Sequence, residues 1–188
     1  QEVRTGMPLD EFIQRYDAAP FELIDGEVLP KMPTVSGHNK LAKRIYKAFA
    51  SFEEQGLGEV FQEAAYIHTD RLDWVRGCRI PDVMWVSASK LAEFRETIPD
   101  ADQRPYIFVP DIVAEVVSTT NTPVEIQKGV ADYLSQGVRL IWIVYPDTRQ
   151  IAVYQHDSQQ IALLSGAAIL DAGTVLPGFA LPLESIFS

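Results

Sequence analysis

The stretch Pro110-Asp111-Ile112-Val113-Ala114-Glu115-Val116-Val117 decides the reading of this chain, because it is β-branched and apolar except for two acids. It reads as the end of a buried strand over residues 106–117. Period-two alternation turns Asp111, Val113, Glu115 and Val117 to one face. A carboxylate in mid-strand is costly to bury unless it is paired, protonated or bound to a cation, so Glu115 needs a partner. Asp111 lies roughly 13 Å away at standard strand rise, too far to share an ion with Glu115, and suits a supporting or strand-entry role. A second acid has a similar setting in Ile80-Pro81-Asp82-Val83-Met84-Trp85-Val86, within a strand read over residues 79–86. If the two strands are neighbours, Asp82 and Glu115 can share one divalent cation, with carbonyl oxygens and water completing its shell. Such all-oxygen ligation favours Mg2+ or Mn2+ over zinc. On spacing alone the alternative stands: Glu115 pairs with an Arg or Lys, or either acid lies at a strand end in water.

Around these strands, residues 7–16 read as a short helix and residues 21–29 as a hairpin turning at Asp25-Gly26. A helix is expected over residues 38–55, with Leu41, Ile45, Ala48, Phe49 and Phe52 on one arc and Lys40, Lys43, Arg44 and Lys47 opposite. Residues 59–69 read as a strand and residues 89–97 as a polar helix. Thr122-Pro123-Val124-Glu125 carries an N-cap hydroxyl, a proline at the first helical position and a glutamate at the third, and Gly137 ends that helix. An apolar strand over residues 139–145, a hairpin of 151–155 with 161–164, and an irregular tail over 176–183 complete the pattern. The order helix, strand, strand, strand, helix, strand predicts an α/β sandwich with the last helix as a crossover. No repeat or linker divides it, so one domain over residues 1–188 is expected.

The 188 residues are 47% hydrophobic and 22% charged. The longest apolar stretches are strand-sized, far below the roughly 18 residues of a spanning helix, so a soluble chain with no membrane partner is expected. A single cysteine, Cys78, and the absence of a signal pattern in Gln1-Glu2-Val3-Arg4 point to a reducing, cytoplasmic compartment. Because Gln1 is not a methionine, a short leader is expected to be missing from the numbering. Twenty-six acidic against 16 basic residues give a net charge of -10, which argues against a cation-coated, non-specific nucleic-acid binder. It leaves room for a local basic patch, and Lys40, Lys43, Arg44 and Lys47 are either a contact for a nucleic-acid backbone or the solvated side of an amphipathic helix. No phosphate-binding glycine loop, cysteine-histidine zinc spacing or nucleophile elbow is present.

In their order and spacing, several segments together resemble the Uma2 family. They are Glu22-Leu23-Ile24-Asp25-Gly26-Glu27, His38 near a helix start, Pro81-Asp82-Val83, the 110–118 stretch, Lys128, Gly137-Val138 with Trp142, and Leu176-Pro177-Gly178-Phe179. This group, abundant in cyanobacteria and of unknown function, is placed in the restriction-endonuclease-like PD-(D/E)XK superfamily. The resemblance implies an α/β restriction-endonuclease-like core (helix, three strands, helix, strand), with a mixed central sheet and extra N-terminal and C-terminal strands. It further implies a Mg2+- or Mn2+-dependent endonuclease acting on nucleic acid, DNA first, with Asp82 and Glu115 as the metal-binding acids. The superfamily pattern has a lysine two residues after the second acid, where this chain has Val117; the resemblance then points to Lys128 as a lysine that has migrated to the following helix. Gln127 beside it is read as reaching the site or as a satisfied core amide. His38 faces inward, either to serve the site or as a core histidine. Glu27 either adds a carboxylate or is a solvated hairpin residue. The residues leave the oligomeric state open, and fold-level analogy alone allows a homodimer. Val117 and the negative charge also support a rival reading, a catalytically inactive binding or scaffold protein.

Overall fold

The computed structural model describes residues 5–188; residues 1–4, read above for a missing signal pattern, lie outside the described residues. In chain order the elements are β1 (Met7–Pro8), α1 (Leu9–Ala18), β2 (Phe21–Ile24), β3 (Glu27–Pro30), α2 (Ser36–Ala48), α3 (Ala50–Glu54), β4 (Gly58–Gln62), β5 (Tyr66–Arg71) and β6 (Trp74–Arg79). They continue with β7 (Val83–Ser87), α4 (Ala88–Thr97), β8 (Ile112–Val116), α5 (Pro123–Gln136), β9 (Leu140–Tyr145), β10 (Gln150–Gln155), β11 (Ala162–Leu164), β12 (Ile169–Asp171), β13 (Ala180–Pro182) and α6 (Leu183–Phe187). A central six-stranded sheet has the order β11-β10-β9-β8-β7-β4. Its β8–β9 pair is parallel and its other pairs are antiparallel, the mixed sheet expected of a restriction-endonuclease-like fold. A parallel pair needs a crossover, which α5 supplies. An N-terminal antiparallel sheet runs β1-β6-β2-β3, with β5 also paired to β6.

Alternation along the central strands sorts their side chains into two cores. Leu41, Ala42 and Ile45 of α2, with Phe49 just beyond it, pack with Trp85, Ala114, Val116 and Trp142 on one face. Val130 and Tyr133 of α5 pack with Met84, Val113 and Ile141 on the other. The sheet is thus clamped between α2 and α5, with Glu115 on the α5 side. Helix α5 starts with the predicted capping box: Thr122 Oγ1 accepts from the Glu125 N–H, and the Glu125 carboxylate accepts from the Thr122 N–H at 2.7 Å. The hairpin turns at Asp25-Gly26 with φ of 51° and 81°, both left-handed as a two-residue turn between twisted strands requires. No helix among the described residues is long and apolar enough to cross a membrane.

Five expectations are corrected. The strands read over 59–69 and 79–86 are each two strands, because Glu63 adopts φ 50° and Pro81 lacks the N–H a ladder needs. Both breaks carry the chain between the N-terminal and central sheets, and they are tied together by the Glu63 N–H donating to Asp82 O at 3.2 Å. The strand read over 106–117 is regular only over Ile112–Val116, since Pro110 also lacks a donor. The helix read over 38–55 divides at Phe49, whose ring stacks on Trp85 at 5.2 Å and meets Phe179 at 4.6 Å. The tail read as irregular over 176–183 instead contains β13, paired with β12, and leads into α6; that pairing is non-local and leaves no periodic trace. Thr122→Ala removes the hydroxyl half of the cap and leaves the backbone N–H to Glu125; it is expected to cost about 1 kcal/mol, read as a lower urea midpoint at unchanged slope.

Candidate active site

Strand β7 pairs with β8 so that Val83 faces Ala114 and Met84 faces Val113. Carried one residue further, this register sets Asp82 opposite Glu115. The Asp82 N–H donates to Glu115 Oε2 at 3.3 Å, and Asp82 Oδ2 accepts from the Val116 N–H at 2.8 Å. Asp82 is buried, while a quarter of the Glu115 side chain is exposed. The two carboxylates are therefore neighbours at the opening of a core sheet, the arrangement expected if the two strands pair.

Each acid is held by groups from other elements. His38, buried in the first turns of α2, places Nε2 3.0 Å from Asp82 Oδ2. Lys31, immediately after β3, donates from Nζ to Ile80 O at 3.0 Å and lies 3.5 Å from Asp82 Oδ1. Tyr133 of α5 donates its hydroxyl to Glu115 Oε1. Arg79, buried at the end of β6, lies 4.0 Å from the same oxygen. Its Nε donates to Glu22 Oε1 at 3.0 Å, its Nη1 to Asp132 Oδ2 at 2.6 Å, and its guanidinium rests 4.1 Å from the centre of the Tyr133 ring.

The electrostatics follow from four carboxylates (Glu22, Asp82, Glu115, Asp132) facing two permanent cations and one imidazole. Burial favours neutral Asp82, but the His38 hydrogen bond and the Lys31 charge prevail and hold its pKa below the ordinary value. Burial opposes charge on His38 too, and its bond to Asp82 raises its pKa nonetheless. Lys31 remains charged in the same way, its burial outweighed by Glu115, Asp82, Glu22 and Glu63. Glu115 behaves oppositely: burial, then the Asp82 charge, push it up to about 8. The pair thus lacks positive charge.

A divalent cation fits this deficit. Each acid has one oxygen engaged only at long range, Asp82 Oδ1 with Lys31 at 3.5 Å and Glu115 Oε2 with the Asp82 N–H at 3.3 Å. Among the described residues no group of three or more His, Cys, Asp or Glu forms a metal-holding set. The donors on offer are two carboxylates, the complement with which Mg2+ keeps much of its water.

Of the residues singled out from sequence, Asp82, Glu115 and His38 come together. Asp111 does not join them; buried at the far end of β8, it takes Lys90 Nζ at 3.0 Å and the Ser87 N–H at 2.9 Å, a strand-entry role. Glu27 is exposed on the hairpin, and no hydrogen bond or ion pair joins it to either acid. Lys128 is exposed, and no hydrogen bond or ion pair joins it to either acid. Gln127 is exposed as well, donating to the Tyr154 hydroxyl at 3.3 Å, because the packed face of α5 runs through Val130 and Tyr133. Lys40, Lys43 and Lys47 form an exposed row on α2, whereas Arg44 is half-buried and donates to Ile186 O at 2.7 Å. Sequence reading missed Lys31, Arg79, Glu22, Asp132 and Tyr133. Arg79 carried a usable signal, a charge inside Cys78-Arg79-Ile80; Lys31 carried none.

The model of Uma2, described as "Putative restriction endonuclease", matches residues 9–184. No curated protein matches the chain. Among solved structures, the chain is similar to a protein from Anabaena variabilis described as "a putative nuclease belonging to DUF820". That likeness has 17% identity and a TM-score of 0.77, covering 96% of this chain and 97% of the other, and it shows the shared fold.

An acid whose native pKa exceeds its unfolded value of 4.5 binds more protons when folded, so its contribution to stability falls as pH rises from 4.5 toward about 8. Glu115→Gln removes this loss, and the Tyr133 hydroxyl can turn to accept from the new amide. In metal-free buffer the variant is expected to gain about 2 kcal/mol on wild type between about pH 5 and about pH 8, measured by urea unfolding. A pH-independent difference would contradict the charge deficit.

Proposed function

Because this chain belongs to the Uma2 family, we propose that it is a metal-dependent endonuclease that hydrolyses phosphodiester bonds of nucleic acid, DNA in the first place. The observation that carries this reading is the register of β7 and β8, which brings Asp82 and Glu115 side by side with too few cations around them. These two acids would hold Mg2+ or Mn2+. When bound, such a cation supplies Lewis-acid stabilisation of phosphoryl oxygens and a competent nucleophile near neutral pH.

The chain's own residues do the positioning. His38 and the Val116 N–H fix Asp82 Oδ2, leaving Oδ1 toward Lys31. Tyr133 and Arg79 fix Glu115 Oε1. In the reaction the water oxygen bonds to phosphorus and the bond from phosphorus to the leaving oxygen breaks. One water proton ends on the leaving alcohol and the other product is a phosphate monoester. The row of Lys40, Lys43 and Lys47 lies on α2, the helix whose first turns carry His38, and would track the backbone next to the site. Arg44 is occupied by Ile186 and is left out of this contact.

Plasmid DNA incubated with Mn2+ is expected to be nicked or cut, and Asp82→Asn or Glu115→Gln to slow this at least about 100-fold in protein that stays folded by circular dichroism. Metal-independent cleavage, or cleavage unaffected by both variants, would exclude the mechanism. If wild type binds nucleic acid and never cuts it, the inactive scaffold is the correct reading. Replacing Lys40, Lys43 and Lys47 together by Gln is expected to lower the salt slope of duplex binding by about 2 to 3, read by fluorescence anisotropy.

A further inference from the structure

We propose that Lys31 is the catalytic lysine of this site, the ammonium that meets the scissile phosphate. This rests on the endonuclease reading above. Charge builds on the phosphoryl oxygens as the water attacks, and a cation beside the metal-holding acids stabilises it in a partly desolvated setting. Four places in the fold could supply that cation, and three are closed. At the position after Glu115 and Val116 stands Val117, whose N–H continues the sheet to Val144 O at 2.9 Å and whose side chain joins the α5-side core. On α5, Lys128 is exposed and unattached to either acid, and the residue facing the cluster is Gly129, where an added Cβ would lie 3.8 Å from Arg79 Nη2. Arg79 itself is committed: its guanidinium holds Glu22 and Asp132 and lies against Tyr133.

Lys31 remains. It follows directly on the β2–β3 hairpin, and its own N–H donates to Pro20 O at 3.0 Å, which anchors the backbone. Its ammonium has three donors, and Ile80 O and Asp82 Oδ1 engage two of them, the second only at 3.5 Å. About a quarter of the side chain is exposed, at 24%, so the charge is sheltered yet open to a ligand. Lys31 contributes charge to the reaction and exchanges no atom.

The test compares variants of the whole chain on plasmid DNA at saturating Mn2+. Lys31→Ala and Lys31→Met are each expected to lower the single-turnover rate at least about 100-fold, while Lys128→Ala stays within about twofold. Calorimetric titration of the protein alone with Mn2+ is expected to show no loss of affinity in either Lys31 variant. A loss of tenfold or more would make Lys31 a support of the metal site and overturn the proposal. Lys31→Cys keeps the question answerable if the first variants are unstable. The sole native thiol, Cys78, is fully buried and its pKa is pushed up to about 12, so 2-bromoethylamine should alkylate only the introduced thiol and rebuild an ammonium of lysine length. Recovery of at least about tenfold in rate on alkylation is expected, and no recovery overturns the assignment. Active wild type with a dispensable Lys31 sinks this inference alone, and wild type that cuts nothing with metal sinks the endonuclease reading together with it.

Discussion

Two carboxyl groups forced side by side by a strand register are the constraint on which this molecule turns. β7 and β8 cannot pair as they do without bringing Asp82 and Glu115 together, and slipping the pairing by one residue would invert every side chain of a strand buried on both faces. The hydrophobic core thereby enforces an electrostatic arrangement that is unfavourable by itself. Four of the five residues of β7 and four of the five of β8 are buried, so the register is held by far more free energy than the repulsion of one carboxylate pair can oppose.

The protein meets that repulsion unevenly. Asp82 is held by a histidine, a lysine and a backbone amide, and stays ionised. Glu115 has a phenol and a distant share of Arg79, and retains a proton to about pH 8. Arg79 fails to neutralise it because Glu22 and Asp132 claim its closest contacts. Those contacts join the N-terminal sheet to α5, so the guanidinium is a structural bolt as well as a neighbour of the site, and removing one partner from such a buried group is costly. Asp132 is further tied through Gln136 to the Tyr66 hydroxyl, at 2.9 and 2.6 Å, which extends the polar layer behind Glu115 to β5.

The net charge of -10 and the proposed nucleic-acid substrate are compatible because the exposed lysines of α2 are grouped. Lys40, Lys43 and Lys47 share the exposed face of the helix whose buried face carries His38 to Asp82. On an acidic surface, such a row confines favourable phosphate contacts to one direction of approach.

Asp82, Glu115 and His38 were legible in the order of residues, since a charge inside a β-branched run and a histidine on the apolar side of a helix violate local patterning in recognisable ways. So were the capped start of α5, the Asp25-Gly26 turn and the parallel crossover, because capping, turn chemistry and periodicity act over a few neighbouring residues. Lys31 and Asp82 are 51 positions apart, and Arg79 meets Asp132 across 53. Nothing local distinguishes Lys31 from a solvated lysine, or Lys128 from a lysine that reaches the sheet. The sequence by itself determined which residues could not be buried without partners. Only the tertiary structure decided who those partners are, because the N-terminal hairpin, the two breaks between sheets and the docking of α5 are set jointly by burial and hydrogen bonding of segments far apart in the chain.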